Sequence, residues 1–173
     1  MWVFRPKTSR QHLIDHYDWS VGGDLLDGTI VGDVNVGQAM NRSTDLAGVV
    51  VHGLGGNDTI TGSGFDDTIV GGDGNDHLTG GLGADTFVYK FTDEGDDTIA
   101  DFVIGTDTLD ITQLLDLTNG GSNSDYVTVA DGVADAVLSI DHDGAGTGDI
   151  VTITLEGLTG QIDAIFIDGL FVA

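Results

Sequence analysis

The chain has 173 residues, room for one domain with an extension, and 40% of them are hydrophobic, so a buried core is expected and wholesale disorder is not. Five Lys and Arg stand against 29 Asp and Glu, a formal charge of −24 at pH 7. That balance argues against nucleic acid or an anionic membrane surface as a partner and favours cations.

There is no cysteine, so no disulfide or thiolate site exists, and no apolar run reaches membrane-spanning length, so membrane insertion is not expected. Residues 1–20 hold Arg5, Lys7 and Arg10 with Trp2, Tyr17 and Trp19. They lack the apolar core of a secretory signal peptide, so an export signal would have to lie elsewhere. His12 and His16, four apart, could chelate zinc on a helix, but the Glu that a metalloprotease of this pattern uses as its base is absent. Asp15 mimics the inverted version only loosely, and a surface or capping helix is the preferred reading. Residues 21–52 carry short apolar runs around glycine, at 28–36 and 46–51. Two readings compete here: degenerate coils that extend the glycine-rich segment after residue 52, or a cap over its open end. The cap is preferred.

From Gly53 to Val88 the chain reads GLGGNDTIT, GSGFDDTIV, GGDGNDHLT, GGLGADTFV, four nine-residue units without insertion. Each begins with glycine, has Asp at its sixth position (Asp58, Asp67, Asp76, Asp85) and a large apolar residue at its eighth (Ile60, Ile69, Leu78, Phe87). A Gly-rich half-unit makes a tight turn, and a half such as Asp-Thr-Ile makes a short strand with one side chain inward. Two units then close one right-handed coil, so that Asp58 stacks over Asp76 and Asp67 over Asp85 on opposite sides. Stacked carboxylates repel, and a hard cation with oxygen ligands removes that conflict.

After Val88 the Asp-Thr-apolar grammar continues at Asp97–Ile99 and Asp107–Leu109, at wider spacing. Residues 112–173 read as an antiparallel sheet closing the second end, with alternation over 126–130, 136–140 and 149–155. The segment 141–149 opens like an EF-hand loop but lacks the closing Glu, which favours a hairpin turn. Residues 158–166 suit a short helix or turn. The chain ends Phe166-Ile-Asp-Gly-Leu-Phe-Val-Ala173, an acidic residue followed by an apolar tail.

The nine-residue unit resembles the calcium-binding repeat of repeats-in-toxin proteins. The run Gly83–Tyr89, Asp97–Phe102, Gly105–Ile111 resembles the end of the β-roll in serralysin-type and other exported proteins. The last eight residues resemble the uncleaved signal of type I secretion. The resemblance covers about residues 53–173, and it implies an all-β protein: a right-handed parallel β-roll with an antiparallel β C-terminal cap. The divisions are 1–52 (extension and cap), 53–111 (calcium-binding roll) and 112–173 (cap with secretion signal).

The expected calcium ligands are the carboxylates of Asp58, Asp67, Asp76 and Asp85, with turn groups of Gly53, Gly55, Gly62, Gly64, Gly71, Gly72, Asp73, Gly74, Gly80 and Leu82. The family pattern adds Asp97 and Asp101, and less directly Glu94, to the last sites. In unit two, Ser63 and Phe65 replace glycines, so strain is expected at Phe65 and a weaker or empty site between 62–67 and 80–85. Leu54 is a smaller departure in unit one. About three to five sites are available from the stackable coils.

The expected function is a secreted, extracellular module that folds on calcium after leaving through type I secretion machinery. No catalytic constellation is present: the five histidines are scattered, and His77 sits at an outward-facing repeat position otherwise held by Thr. The alternative is a polysaccharide-binding or adhesive module of a larger secreted enzyme, whose partner would be a polysaccharide or cell surface. An ice-binding face ranks last, because Asn57 and Asn75 match on one side only.

Overall fold

A computed structural model describes residues 29–31, 39–41, 43, 47–90, 95–114, 126–142 and 150–159. Among the described residues, twelve strands follow in chain order: β1 (Thr29–Val31), β2 (Ala39–Asn41), β3 (Val50–Gly55), β4 (Thr59–Thr61), β5 (Thr68–Asp73), β6 (His77–Thr79), β7 (Thr86–Val88), β8 (Asp96–Ile99), β9 (Thr108–Asp110), β10 (Val127–Asp131), β11 (Ala136–Asp141) and β12 (Ile150–Leu155). They form two sheets, ordered β1-β3-β5-β7-β9 and β10-β11-β12-β8-β6-β4-β2. Consecutive strands alternate between sheets from β1 to β9, which is the winding of a parallel β-solenoid. All pairings in the first sheet are parallel.

The repeat sets the register. Val51 pairs with Ile69, Ile69 with Phe87 and Phe87 with Leu109, so the eighth position of alternate units stacks on itself. Ile60, Leu78, Ile99 and Leu155 do the same in the second sheet. A one-residue slip would turn both columns to water, which is why the register is strongly specified. All of these side chains are at most 1% exposed, and burial of each stabilises by roughly 1.5–3 kcal/mol. Phe102 adds to the core against Phe87, with ring centroids 6.0 Å apart.

Two sequence expectations change. Where the sequence favours a cap over 21–52, β1 and β2 extend the two sheets in register, Thr29–Val31 against Val50–His52 and Ala39–Asn41 against Thr59–Thr61. At these positions the chain continues the roll, because even a degenerate apolar run gains backbone partners on an open sheet edge. The C-terminal strands are antiparallel to one another, as expected, but they do not form a separate sheet. β12 lies parallel to β8, from Thr152 against Asp96 to Leu155 against Ile99, so they prolong one sheet of the roll and share its core. Pairing with β12 satisfies an edge of β8 that would otherwise be bare. Asp141 pairs with Ile150, so β11 and β12 pair as a hairpin, and residues 143–149 between them lie outside the described residues.

The strain expected at Phe65 falls elsewhere. Leu54 (φ 78°) is the non-glycine residue with positive φ among the described residues, and Phe65 is not one. The described units share positive φ at Leu54 and Gly56, Gly72 and Gly74, and Gly81 and Gly83, which are positions two and four of units one, three and four. Unit two alone takes a different turn.

The readings at 1–20, Glu94, most of 158–166 and the tail 166–173 lie outside the described residues.

Candidate metal centre

The sixth residue of each unit ends a turn and enters a strand, so its side chain turns back along the roll. Asp58, Asp67, Asp76 and Asp85 are each no more than 3% exposed. The carboxylates of Asp67, Asp76 and Asp85 are each tied to the coil before. The Asp58 N–H donates to Asp76 Oδ1 at 2.8 Å and the Asp76 N–H to Asp97 Oδ1 at 2.8 Å. On the opposite edge the Val49 N–H donates to Asp67 Oδ1 at 2.7 Å, Asp67 to Asp85 at 2.9 Å and Asp85 to Asp107 at 3.0 Å. The main-chain carbonyls of the same residues accept from the following coil, as in His77 N–H to Asp58 O at 2.9 Å and Thr86 N–H to Asp67 O at 2.8 Å. Two carboxylate ladders thus run along the two edges of the roll, with the stacking that the repeat period predicts.

The second carboxylate oxygen faces glycine. A Cβ at Gly53 would strike Asp58 Oδ2 and the carbonyl oxygen of Gly71, and a Cβ at Gly62 would strike Asp67 Oδ2 and the carbonyl oxygen of Gly80. Added side chains at Gly71 and Gly80 would meet Asp76 Oδ2 and Asp85 Oδ2. The first-position glycine therefore keeps open a cradle lined by carboxylate and carbonyl oxygens. The Oδ2 atoms of Asp58, Asp76 and Asp97 are sealed from solvent. Among the described residues no three His, Cys, Asp or Glu side chains converge on one point. A cation held here would take most of its ligands from main-chain carbonyls, an all-oxygen set that suits a hard ion such as calcium and not a soft one.

The remaining candidates sort by position. Gly72 and Gly74 pack against the carbonyls of Leu54 and Gly56 in the neighbouring coil. The Asp73 carbonyl accepts from Gly56 at 2.8 Å and its side chain is exposed; Gly55 pairs with it. Gly64 has nothing near its Cβ position, and Leu82 stands 75% exposed, so both lie on the outer rim of their turns. Asp97 joins the first ladder. Asp101 accepts from Gly80 at 2.8 Å and Gly81 at 2.9 Å, capping the turn of unit four. Asp107 completes the second ladder and also accepts from Val103 at 2.8 Å, a role that the repeat spacing does not assign to it. Its signal was the Asp-Thr-Leu grammar, obscured by the longer spacing from Asp85. His77 is exposed on β6, as expected. The fifth positions make an outer rung: the Asn75 N–H donates to Asn57 and the Ala84 N–H to Asp66.

Burial shows in the acidity of two of these carboxyls. Burial, opposed by the Asp67 amide and reinforced by Asp107, Asp67 and Asp101, raises Asp85 to about 6. Burial likewise raises Asp107. A carboxyl whose folded pKa lies above its unfolded value of 3.8 binds its proton more tightly in the fold. Its stabilising effect is fully present below about pH 4 and is lost as pH rises through about 6. The metal-free protein should therefore gain stability, on the order of 1 kcal/mol after discounting for the shallow, exposed turn above Asp85, as pH falls from 7 to 5. Circular dichroism in chelator at the two pH values checks this: a larger folded fraction is expected at pH 5, and equal spectra would contradict it.

Residues 52–87 match the RTX calcium-binding nonapeptide repeat family in four copies. No curated protein sequence resembles the chain closely enough to count as a match. Among solved structures, the chain is similar to the AlgE6R2 subunit of the Azotobacter vinelandii mannuronan C5-epimerase, with 28% identity, a TM-score of 0.60, and coverage of 83% of this chain and 91% of that one. It is also similar in fold to the AlgE6R3 subunit of that epimerase, with 23% identity, a TM-score of 0.58, and coverage of 84% and 83%.

Proposed function

We propose, from the premise that residues 52–87 are an RTX repeat array wound into a β-roll, that this chain is a secreted module whose folding is driven by extracellular calcium. The observation that carries the reading is the pair of buried Asp ladders, in which the Oδ2 atoms of the four repeat residues Asp58, Asp67, Asp76 and Asp85 each face a first-position glycine, in a protein of charge −24. Asp58, Asp76 and Asp97, with carbonyls of Gly53 and Gly71, would hold the ions on one edge. Asp85, Asp107 and Asp101, with Gly80, would hold them on the other.

An ion bound only by the folded state stabilises it by RT ln(1 + [Ca]/Kd), about 1.4 kcal/mol per site at ten times Kd. Extracellular calcium modules have Kd of about 10⁻⁴–10⁻³ M, so cytosolic calcium leaves the ladders in mutual repulsion and the chain unfolded. An unfolded chain suits a narrow export channel, and the tail 166–173 would carry the type I signal. In this reading 1–52 is an extension, 53–111 the calcium-binding roll and 112–173 a closing segment, and none of them is catalytic.

The test is a calcium titration of chelator-stripped protein followed by far-ultraviolet circular dichroism, with magnesium as control. A cooperative gain of β signal near millimolar calcium, absent with magnesium, is expected. A spectrum and a melting temperature indifferent to calcium would overturn the reading.

A second reading, a polysaccharide-binding module, has one observation in its favour: the 28% identical neighbour is a subunit of an enzyme named for a polysaccharide. The outward row Thr59, His77, Thr98 and Thr154 would supply a hydroxyl-rich face. The net charge opposes capture of a polyanion. Retention on neutral and on uronate-polymer columns, with and without calcium, decides it.

A further inference from the structure

The turn of unit two departs from the other three, and the departure is specific. Ser63, 3% exposed, stands at position two, where unit four has Gly81 with φ 106°. Phe65 stands at position four, where unit four has Gly83 with φ 126°. Neither Ser63 nor Phe65 has positive φ, although Leu54 in unit one accepts that conformation despite its side chain. A change in the sign of φ re-aims the flanking peptide groups, so the carbonyls of 62–65 do not repeat the arrangement of the other turns.

The Ser63 side chain and amide fill the place thus vacated. The Ser63 N–H donates to Asp67 Oδ2 at 2.5 Å and its hydroxyl to Asp67 Oδ1 at 2.8 Å. The Phe65 N–H donates to the Ser63 hydroxyl at 3.2 Å. With the Val49 N–H also on Oδ1, the Asp67 carboxylate receives three donors from its own turn and the coil before. Donors aimed at a carboxylate stabilise its charge, which is the service a cation performs at the other units.

We infer that the 62–67 turn is a metal-independent latch: Ser63 takes the cation's place at Asp67, and the turn pair 62–67/80–85 holds no calcium while the other stacked turns do. This rests on the proposed calcium-driven folding and sharpens it. In the folded roll that edge is then closed at unit two by hydrogen bonds, while the other stacked turns are closed by calcium.

Two variants of the full chain test it, with calcium alone as the probe. The double substitution Ser63→Gly, Phe65→Gly restores glycine at positions two and four. It is expected to bind one calcium more than the wild type by isothermal titration. Ser63→Ala removes the hydroxyl and keeps the Cβ; it is expected to bind no additional calcium. In saturating calcium, its Phe65 amide should exchange with deuterium at least tenfold faster than in the wild type. Equal calcium stoichiometry for wild type and double variant would overturn the inference, as would unchanged Phe65 exchange in Ser63→Ala. Absence of calcium binding by every form would instead overturn the calcium reading, and the exchange result would judge the latch by itself.

Discussion

Gly72→Val is expected to prevent the roll from folding at any calcium concentration. Gly72 lies in β5 with φ 102°, and its Cβ position collides with the Leu54 carbonyl oxygen and lies 2.7 Å from the carbonyl carbon. Those atoms are backbone of the paired strand β3, where Leu54 lies opposite Gly72, so no side-chain rotation relieves the contact. A β-branched residue at such φ costs about 1–2 kcal/mol before any clash. Separating β3 from β5 would also expose the Val51–Ile69–Phe87 column. The sum is a large part of the roughly 5–15 kcal/mol that holds an ordinary domain together. Gly64→Ala is the matched control, since no atom lies near its Cβ position and its φ is not positive. It should change stability by less than about 1 kcal/mol, in the stabilising direction, by restricting the unfolded chain. Circular dichroism in calcium and in chelator compares the two; a folded Gly72→Val protein would mean that β3 and β5 are not packed as described.

Asp76→Ala should raise the calcium concentration needed for folding by tenfold or more. Asp76 is the middle rung of its ladder. Its Oδ1 accepts from Asp58, its own N–H donates to Asp97, and its carbonyl accepts from Thr98 at 2.8 Å. Removing the carboxylate leaves the buried Asp58 amide without that acceptor, at a cost of about 1–3 kcal/mol, and takes an oxygen from the cradle at Gly71. Each 1.4 kcal/mol is about tenfold in an equilibrium constant. Asp73→Ala, three residues away, removes an equal charge from an exposed side chain and keeps the carbonyl that pairs with Gly56. It should move the midpoint little, by less than about 0.5 kcal/mol. Equal midpoints for the two variants would show that general charge repulsion, and not the ladder, sets the calcium requirement.

Much of this was legible in the residues. The nine-residue period predicts one turn and one short strand per unit. It also predicts the stacking of Asp58 on Asp76 and of Asp67 on Asp85, and the inward columns of Ile60, Ile69, Leu78 and Phe87. These follow from local geometry: glycine makes the turn, Asp ends it, and the eighth residue has one face to hide. Strands 127–131, 136–141 and 150–155 were legible in the same way, from alternation.

The rest depended on contacts that the repeat does not display, most of them with neighbours a coil away. Gly64 and Gly72 look alike as letters, yet only Gly72 faces the backbone of another strand. By residue type Phe65 is the strained position and Leu54 the tolerable one. The serine two residues before Phe65 allows its turn a different path, while Leu54 is held at φ 78° opposite Gly72. Asp107 lies beyond the regular spacing, and only the winding of β9 against β7 brings it under Asp85. That β12 would run parallel to β8 was not in its own alternation, because a strand's pattern says which face is buried and not whose edge it will join. By itself the sequence determined the period, the two ladders and the hard-cation chemistry they invite, since each depends on contacts within a unit or between identical units. The tertiary structure decided where φ turns positive, which carboxylate is already satisfied and how the roll is closed, since those depend on the path each turn takes, as at Ser63 and Asp67, and on partners 18 or more residues away.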